Sequence, residues 1–239
     1  MYSSIRPEKL TATPSQRKLL GMEPSYVVER NLFLANSLPY HEFLRSFIVG
    51  AHERKWKATI AHRFAEMVHE EGKLLRLYTQ NIDGLDSQCE KIPASSICEV
   101  HGTIARAECE NCGSKMDMDT YISKVRSQIK DIEQQDPTAP AHSTPIACPS
   151  CGRNAIKSAI VLFSGDLPAT FFLLKEQDLP AADLVLVAGT SLAVFPAASI
   201  AFDAPSSAAR VAIDRHRVGE ENGLGSRPQD VHLLGGIEG

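Results

Sequence analysis

The stretch KLLRLYTQN, Lys73–Asn81, decides the fold. Its leucines at 74, 75 and 77 come in a block and do not alternate with polar residues, as in a strand buried on both faces. The run then breaks, with no turn residue between, into Gln80, Asn81, Ile82 and Asp83. Two amides and a carboxylate around one apolar residue are the donor and acceptor set of a pocket for a polar small molecule.

Three similar runs occur further along: SAIVLF (158–163), DLVLVAG (183–189) and ARVAID (209–214). Helical spacing lies between some of them, in PATFFLLKEQ (168–177) and FPAASIAF (195–202). Buried strands alternating with helices predict an α/β fold with a parallel sheet. Ligands of such sheets sit beyond the carboxyl ends of the strands. Those ends read Gln80-Asn81-Ile82-Asp83, Ser164-Gly165-Asp166, Gly189-Thr190-Ser191 and Asp214. Upstream, Ile60, Phe64, Met67 and Val68 fall at i, i+4, i+7 and i+8 before Gly72, which predicts an amphipathic helix and its stop. Residues 27–48 have roughly helical spacing, interrupted around Pro39. Residues 1–25 show no clear start of a domain, and QQDPTAPAHSTP (134–145) reads as a surface loop.

The 239 residues are 43% hydrophobic and 23% charged, enough for a packed core in one large domain or in a large and a small one. A net charge of −4 supplies no electrostatic reason for a nucleic-acid or anionic-membrane partner. The N-terminus has no apolar signal region, and the longest apolar stretch, Ala181–Ala188, is broken by Asp183 and too short to span a bilayer. The expectation is an intracellular protein, cytoplasmic or nuclear, with no membrane and no direct nucleic-acid contact. Its six cysteines are then thiols or metal ligands.

Four of the six pair as CENC (109–112) and CPSC (148–151), with 35 residues between the pairs. Each C-x2-C fits a tight knuckle followed by glycine, Gly113 and Gly152, so Cys109, Cys112, Cys148 and Cys151 can converge on one tetrahedral ion. The gap is longer than the usual one and carries its own helical segment, DMDTYISKVRSQIK. Four protein thiols leave no position for substrate, which makes a zinc here structural; iron would take the same ligands. From Arg106 to Asp136 five Lys/Arg face seven Asp/Glu, an unfavourable surface for phosphate. Cys89 and Cys98 have no partner pattern and read as partly buried thiols. His101, in EVHGT, lies between the strand-end amides and the first knuckle, and Gly102 beside it allows close approach. An imidazole there is a candidate general base.

YTQNIDGLD, EVHGT, the two knuckles, IVLFSGDLP and VAGTSLAVFPAA occur in the order and approximate spacing of the sirtuins, the NAD-dependent protein deacylases. The chain resembles that family from about Lys57 to Asp214. The resemblance implies a Rossmann-like NAD-binding domain (residues 1–104 and 153–239) and a zinc-binding small domain (105–152). The helical segment 26–50 would add to the small lobe, and NAD and acyl-lysine would meet in the cleft between the domains. By position, Gln80, Asn81 and Asp83 would contact the nicotinamide ribose and carboxamide, with Ile82 beside them. Gly189, Thr190 and Ser191 would hold the phosphate and ribose end, reinforced by a following helix, and Asp214 the adenine ribose. Val161, Phe163, Ser164 and Leu167 would pair with an acyl-lysine peptide as an added strand, and His101 would be the base. The implied reaction, catalysed with NAD and Zn2+ bound, transfers the acyl group to ADP-ribose and frees lysine and nicotinamide.

The chain departs from the family pattern in several places. It contains no Gly-Ala-Gly and no Asp-Phe-Arg, and its opening resembles the segment downstream of that cofactor loop. The expectation is a chain that lacks the N-terminal cofactor loop and binds NAD weakly. Phe163-Ser164-Gly165-Asp166 stands where Phe-Gly-Glu is usual, and Asp214 where Asn is common. The alternative reading is a catalytically impaired homologue, a zinc-bearing module that binds acyl-peptides or a protein partner.

Overall fold

The computed structural model describes residues 5–236; the first four residues of the opening segment and the closing IEG lie outside the described residues. The first elements are α1 (Pro14–Met22), α2 (Arg30–Ala35), α3 (Leu38–His52) and α4 (Ile60–Glu70). Strands β1 (Leu77–Thr79), β2 (Ile97–Glu99), β3 (Gly102–Cys109) and β4 (Lys115–Met116) come next. The remaining elements are α5 (Met118–Gln128), β5 (Ile156–Ile160), α6 (Ala169–Asp178), β6 (Leu184–Ala188), α7 (Ser199–Phe202), β7 (Ala209–Asp214) and β8 (Val231–Leu234).

These elements form two compact units. The first comprises Met1–Trp56, Asn81–Gly84 and His101–Asp166. Its core is organised by α3, which buries Tyr40, Leu44 and Ile48, one residue per turn on the same face. They share a cluster with Tyr121 and Val125 of α5, Ile104 of β3 and Ile156 of β5. Pro39 opens α3 and does not interrupt it: in the first helical turn its missing N–H has no partner to lose. Helix α1 was not anticipated, although its signal is in the sequence. Thr13 accepts from the Gln16 N–H, the Gln16 side chain accepts from the Thr13 N–H, and Pro14 opens the helix.

The run at 158–163 is not a strand of a parallel sheet: β5 covers Ile156–Ile160 and pairs antiparallel with β3, which pairs antiparallel with β4. A run buried on both faces looks alike whichever way its neighbour travels.

The second unit comprises Lys57–Gln80, Leu85–Val100 and Leu167–Gly239. Here the expected parallel pairing is found between β6 and β7; β1 also pairs parallel with β2, and β7 with β8, where β2 and β8 were not anticipated. One face of β6–β7–β8, with Val185, Val187 and Ala212, is buried against Ala198 and Ala201. The other face carries Leu184, Leu186, Val211, Ile213, Val231 and Leu233, each exposed or half-buried. So β6 is covered on one face only, against the expectation of burial on both. The stripe Ile60, Phe64 and Met67 of α4 is likewise exposed, and the buried residue of that helix is Glu66, which accepts from the Lys91 N–H. No described helix is long and apolar enough to cross a membrane.

Candidate functional site

In the first unit the four cysteines converge. Cys109 ends β3, and Cys148 and Cys151 flank the turn that leads into β5. The two knuckles repeat one backbone pattern. Gly113 N–H donates to Cys109 C=O at 2.8 Å and Gly152 N–H to Cys148 C=O at 2.9 Å, both glycines at φ near +70°. The Glu110 N–H donates to Ala155 C=O at 2.8 Å and ties one knuckle to the other. The four sulfurs lie within 4.8 Å of one another, with Cys109–Cys151 and Cys112–Cys148 at 3.7 Å.

A tetrahedral ion with metal–sulfur bonds of about 2.3 Å separates its sulfurs by about 3.8 Å, so the donor set fits zinc. The Ser114 hydroxyl lies 3.1 Å from Cys148 Sγ and 3.2 Å from Cys112 Sγ, and Asn111 Nδ2 donates to Cys151 Sγ at 3.6 Å. The Ser114 contact brings the Cys148 thiol down to about 6, while burial pushes Cys109 up to about 12. Beneath the knuckles is a charge network that the sequence did not single out. Glu110 accepts from Arg30 Nε at 2.5 Å and lies 3.2 Å from the ammonium of buried Lys157. Lys157 also donates to Ile160 C=O at 2.6 Å.

Asn81, Ile82, Asp83 and His101 belong to this same unit. Ile104 N–H donates to Ile82 C=O at 2.8 Å, and Val161 N–H donates to His101 C=O at 2.9 Å. His101 is half-buried, and Gly102 beside it has φ +73°. A Cβ on Gly102 would stand 2.0 Å from Ala159 C=O, so only glycine lets β3 pass β5 there.

Gln80, Gly189, Thr190, Ser191 and Asp214 belong to the second unit: Gln80 and Gly189–Ser191 follow the carboxyl ends of β1 and β6, and Asp214 ends β7. Thr190 Oγ1 donates to Gln80 Oε1 at 3.1 Å and accepts from the Leu192 N–H at 3.2 Å. Gly189 and Leu192 both have positive φ, which turns the chain sharply at the strand end. Asp214 accepts from the His216 N–H at 3.1 Å. This gathering of hydroxyl, amide and carboxylate at parallel strand ends suits a polar, hydroxyl-rich cofactor. The expected following helix is not at hand: α7 starts at Ser199, and a cis Phe195–Pro196 bond lies between.

Of the expected peptide-pairing residues, Val161, Phe163 and Ser164 lie in the first unit, while Leu167 belongs to the second and packs in its cluster with Phe171 and Val100. Phe163 already pairs within the chain: its N–H donates to Val28 C=O at 2.9 Å and its C=O accepts from Arg30 N–H at 3.0 Å. Cys89 and Cys98 are buried, and burial pushes both thiols up to about 11.

The model of the Sir2 family matches residues 15–196. NAD-dependent protein deacetylase sirtuin-3 of Mus musculus is 34% identical over 214 residues, covering 90% of this chain and 57% of that protein. NAD-dependent protein deacetylase hst2-1 of Emericella nidulans is 33% identical over 213 residues, covering 89% of the chain and 52% of that protein. NAD-dependent protein deacetylase SIR2rp1 of Leishmania major is 33% identical over 165 residues, covering 69% of the chain and 39% of that protein. The chain thus spans about half the length of the curated relatives it matches.

Proposed function

This chain belongs to the Sir2 family, and we propose from that premise that it acts as an NAD-dependent protein-lysine deacetylase or deacylase. The reaction gives nicotinamide, O-acyl-ADP-ribose and free lysine, and the substrate is an acyl-lysine protein or peptide. The observation that carries this reading is the joining of Asn81–Asp83 and His101 in one unit, through the Ile104–Ile82 backbone bond and the glycine step at Gly102. A structural zinc module has no use for an imidazole in the same unit as an amide-and-carboxylate segment. A ribose-directed enzyme does.

When bound, NAD supplies an electrophilic ribose carbon and nicotinamide as leaving group. In this reading His101 would take a proton from a ribose hydroxyl of the bound NAD. Gln80, Asn81 and Asp83 orient the nicotinamide ribose and carboxamide, with Ile82 excluding water beside them. Gly189, Thr190 and Ser191 hold the phosphate and ribose end, and Asp214 accepts from the adenine ribose. The Gln80–Thr190 hydrogen bond supports this, since it holds two of those side chains in fixed relation. Val161, Phe163, Ser164 and Leu167 present the peptide-binding segment. Zinc on Cys109, Cys112, Cys148 and Cys151 is structural. The functional division is a Rossmann-like part, 1–104 and 153–239, and a zinc-binding part, 105–152, with 26–50 beside it.

The test is incubation of the protein with NAD and an acetyl-lysine peptide, with products followed by mass spectrometry. Deacetylated peptide and acetyl-ADP-ribose in equal amounts are expected. An unchanged peptide, with NAD cleaved or intact, overturns the reading.

A further inference from the structure

We propose that a cavity in the first unit, beside the Phe163–Ser164 segment, binds a cationic side chain, Lys or Arg, of the substrate peptide close to its acyl-lysine. The inference rests on the reading of Val161–Leu167 as the peptide-binding segment and adds a specificity determinant to it. The cavity, of about 320 Å³, is lined by Glu23, Ser25, Tyr26, Glu29, Phe163 and Ser164. That volume is at the small end of the range for ligand sites, suited to one long side chain.

The lining chemistry is that of a cation site. Two of the six residues are carboxylates, two are aromatic, and none is basic. Glu29 is only 7% exposed. Its carboxylate caps α2, accepting from the Leu32 N–H at 2.9 Å and from Asn31 Nδ2 at 3.2 Å, which hold it in place. Among the described residues neither Glu29 nor Glu23 has a cationic partner, and the adjacent Arg30 is committed to Glu110. A carboxylate that caps a helix and has no cationic side chain as partner can still attract a cation brought against it. Tyr26 and Phe163, 37% and 48% exposed, add ring faces of the kind that bind ammonium and guanidinium groups.

Position links the cavity to the peptide. Phe163 and Glu29 form an isolated parallel bridge, so the backbone on either side of Glu29, at Val28 and Arg30, is hydrogen-bonded to the segment proposed to carry substrate. The turn after Phe163 is tight. Ser164 has φ +61°, Gly165 N–H donates back to Leu162 C=O, and a Cβ on Gly165 would stand 2.9 Å from that oxygen. A cation entering here therefore meets a backbone set by its own hydrogen bonds.

The test measures binding of three acetyl-lysine peptides, identical except for Arg, Ala or Glu at positions flanking the acyl-lysine. At low salt the Arg peptide is expected to bind about tenfold more tightly than the Ala peptide, and the Glu peptide more weakly than either. Glu23→Gln and Tyr26→Leu, both on exposed residues, should each shrink the Arg preference severalfold while leaving the Ala peptide's affinity unchanged. Glu23→Lys should reverse the order of the Arg and Glu peptides. Equal affinities for all three peptides overturn this inference and leave the deacylase reading intact. Failure of all three to bind or turn over overturns the deacylase reading itself, and the cation site with it.

Discussion

The ammonium of Lys157, 1% exposed on β5, lies 3.2 Å from the carboxylate of Glu110, the second residue of the first cysteine knuckle. A buried cation thus faces the loop that presents two of the four sulfurs. Removing one partner of a buried pair leaves the other charge uncompensated, a loss of about 3 kcal/mol. Glu110→Ala should therefore destabilise the protein by about that amount and speed metal release to a chelating dye. Arg30→Gln, which removes the more exposed partner of the same carboxylate, should cost much less. Equal losses in the two variants, from paired thermal melts, would show that burial of Lys157 is not what matters.

The purified protein should carry one zinc per chain. Structural zinc binding contributes on the order of 10 kcal/mol to folding. Chelation should accordingly melt α5 and the β3–β5 sheet before the parallel strands, a sequence that hydrogen exchange resolves. Elemental analysis that finds iron, or a folded protein without metal, contradicts the zinc assignment.

His41 is fully buried in the first unit, with Nδ1 2.8 Å from Ser37 C=O and rings of Phe33, Tyr40 and Tyr121 around it. Burial lowers it from 6.5 to about 4. The folded protein therefore favours neutral imidazole, and the unfolded chain binds the extra proton first as the pH falls. This contribution is complete above pH 6.5 and is lost progressively down to about pH 4, amounting to roughly 3 kcal/mol over that interval. His41→Phe should remove that part of the acid sensitivity. Melts at pH 7 and pH 5, compared between wild type and variant, check it against the carboxylate background common to both.

His101 and Gly102 should separate chemistry from folding. His101→Ala is expected to abolish deacylation while the melting temperature stays within a few degrees, because the side chain is half-buried and outside the core cluster. Gly102→Ala should cost roughly 2–5 kcal/mol, since it adds a Cβ at positive φ and sets it against Ala159 C=O. A large stability loss in the His101 variant would make that residue structural.

The open face of β6–β7–β8 predicts an asymmetry between neighbouring residues. Leu186→Thr and Val231→Thr, on the exposed face, should change stability by less than about 1 kcal/mol and raise solubility. Val187→Thr, one position along but buried, should cost about 2 kcal/mol. Chemical denaturation of the three variants measures the difference.

The four-cysteine centre was legible in the sequence because two C-x2-C pairs and their glycines specify knuckles locally, whatever surrounds them. The helix at 118–128 and the Gly72 stop were legible for the same reason, since spacing and turn chemistry act over a few residues, and the parallel pairing of β6 and β7 was legible from the helical spacing at 195–202 between them. Tertiary structure decided what local pattern leaves open. The direction of the strand beside Ile156–Ile160 depends on a partner some fifty residues away, and a hydrophobic run carries no sign for parallel or antiparallel. Which face of β6 meets a core depends on what packs over it, so Leu184 and Leu186 read as buried yet lie exposed. The Glu110–Lys157–Arg30 network and the cavity walled by Glu23 and Glu29 join residues far apart in the chain. Their charges acquire meaning only when folding removes water from one side of them.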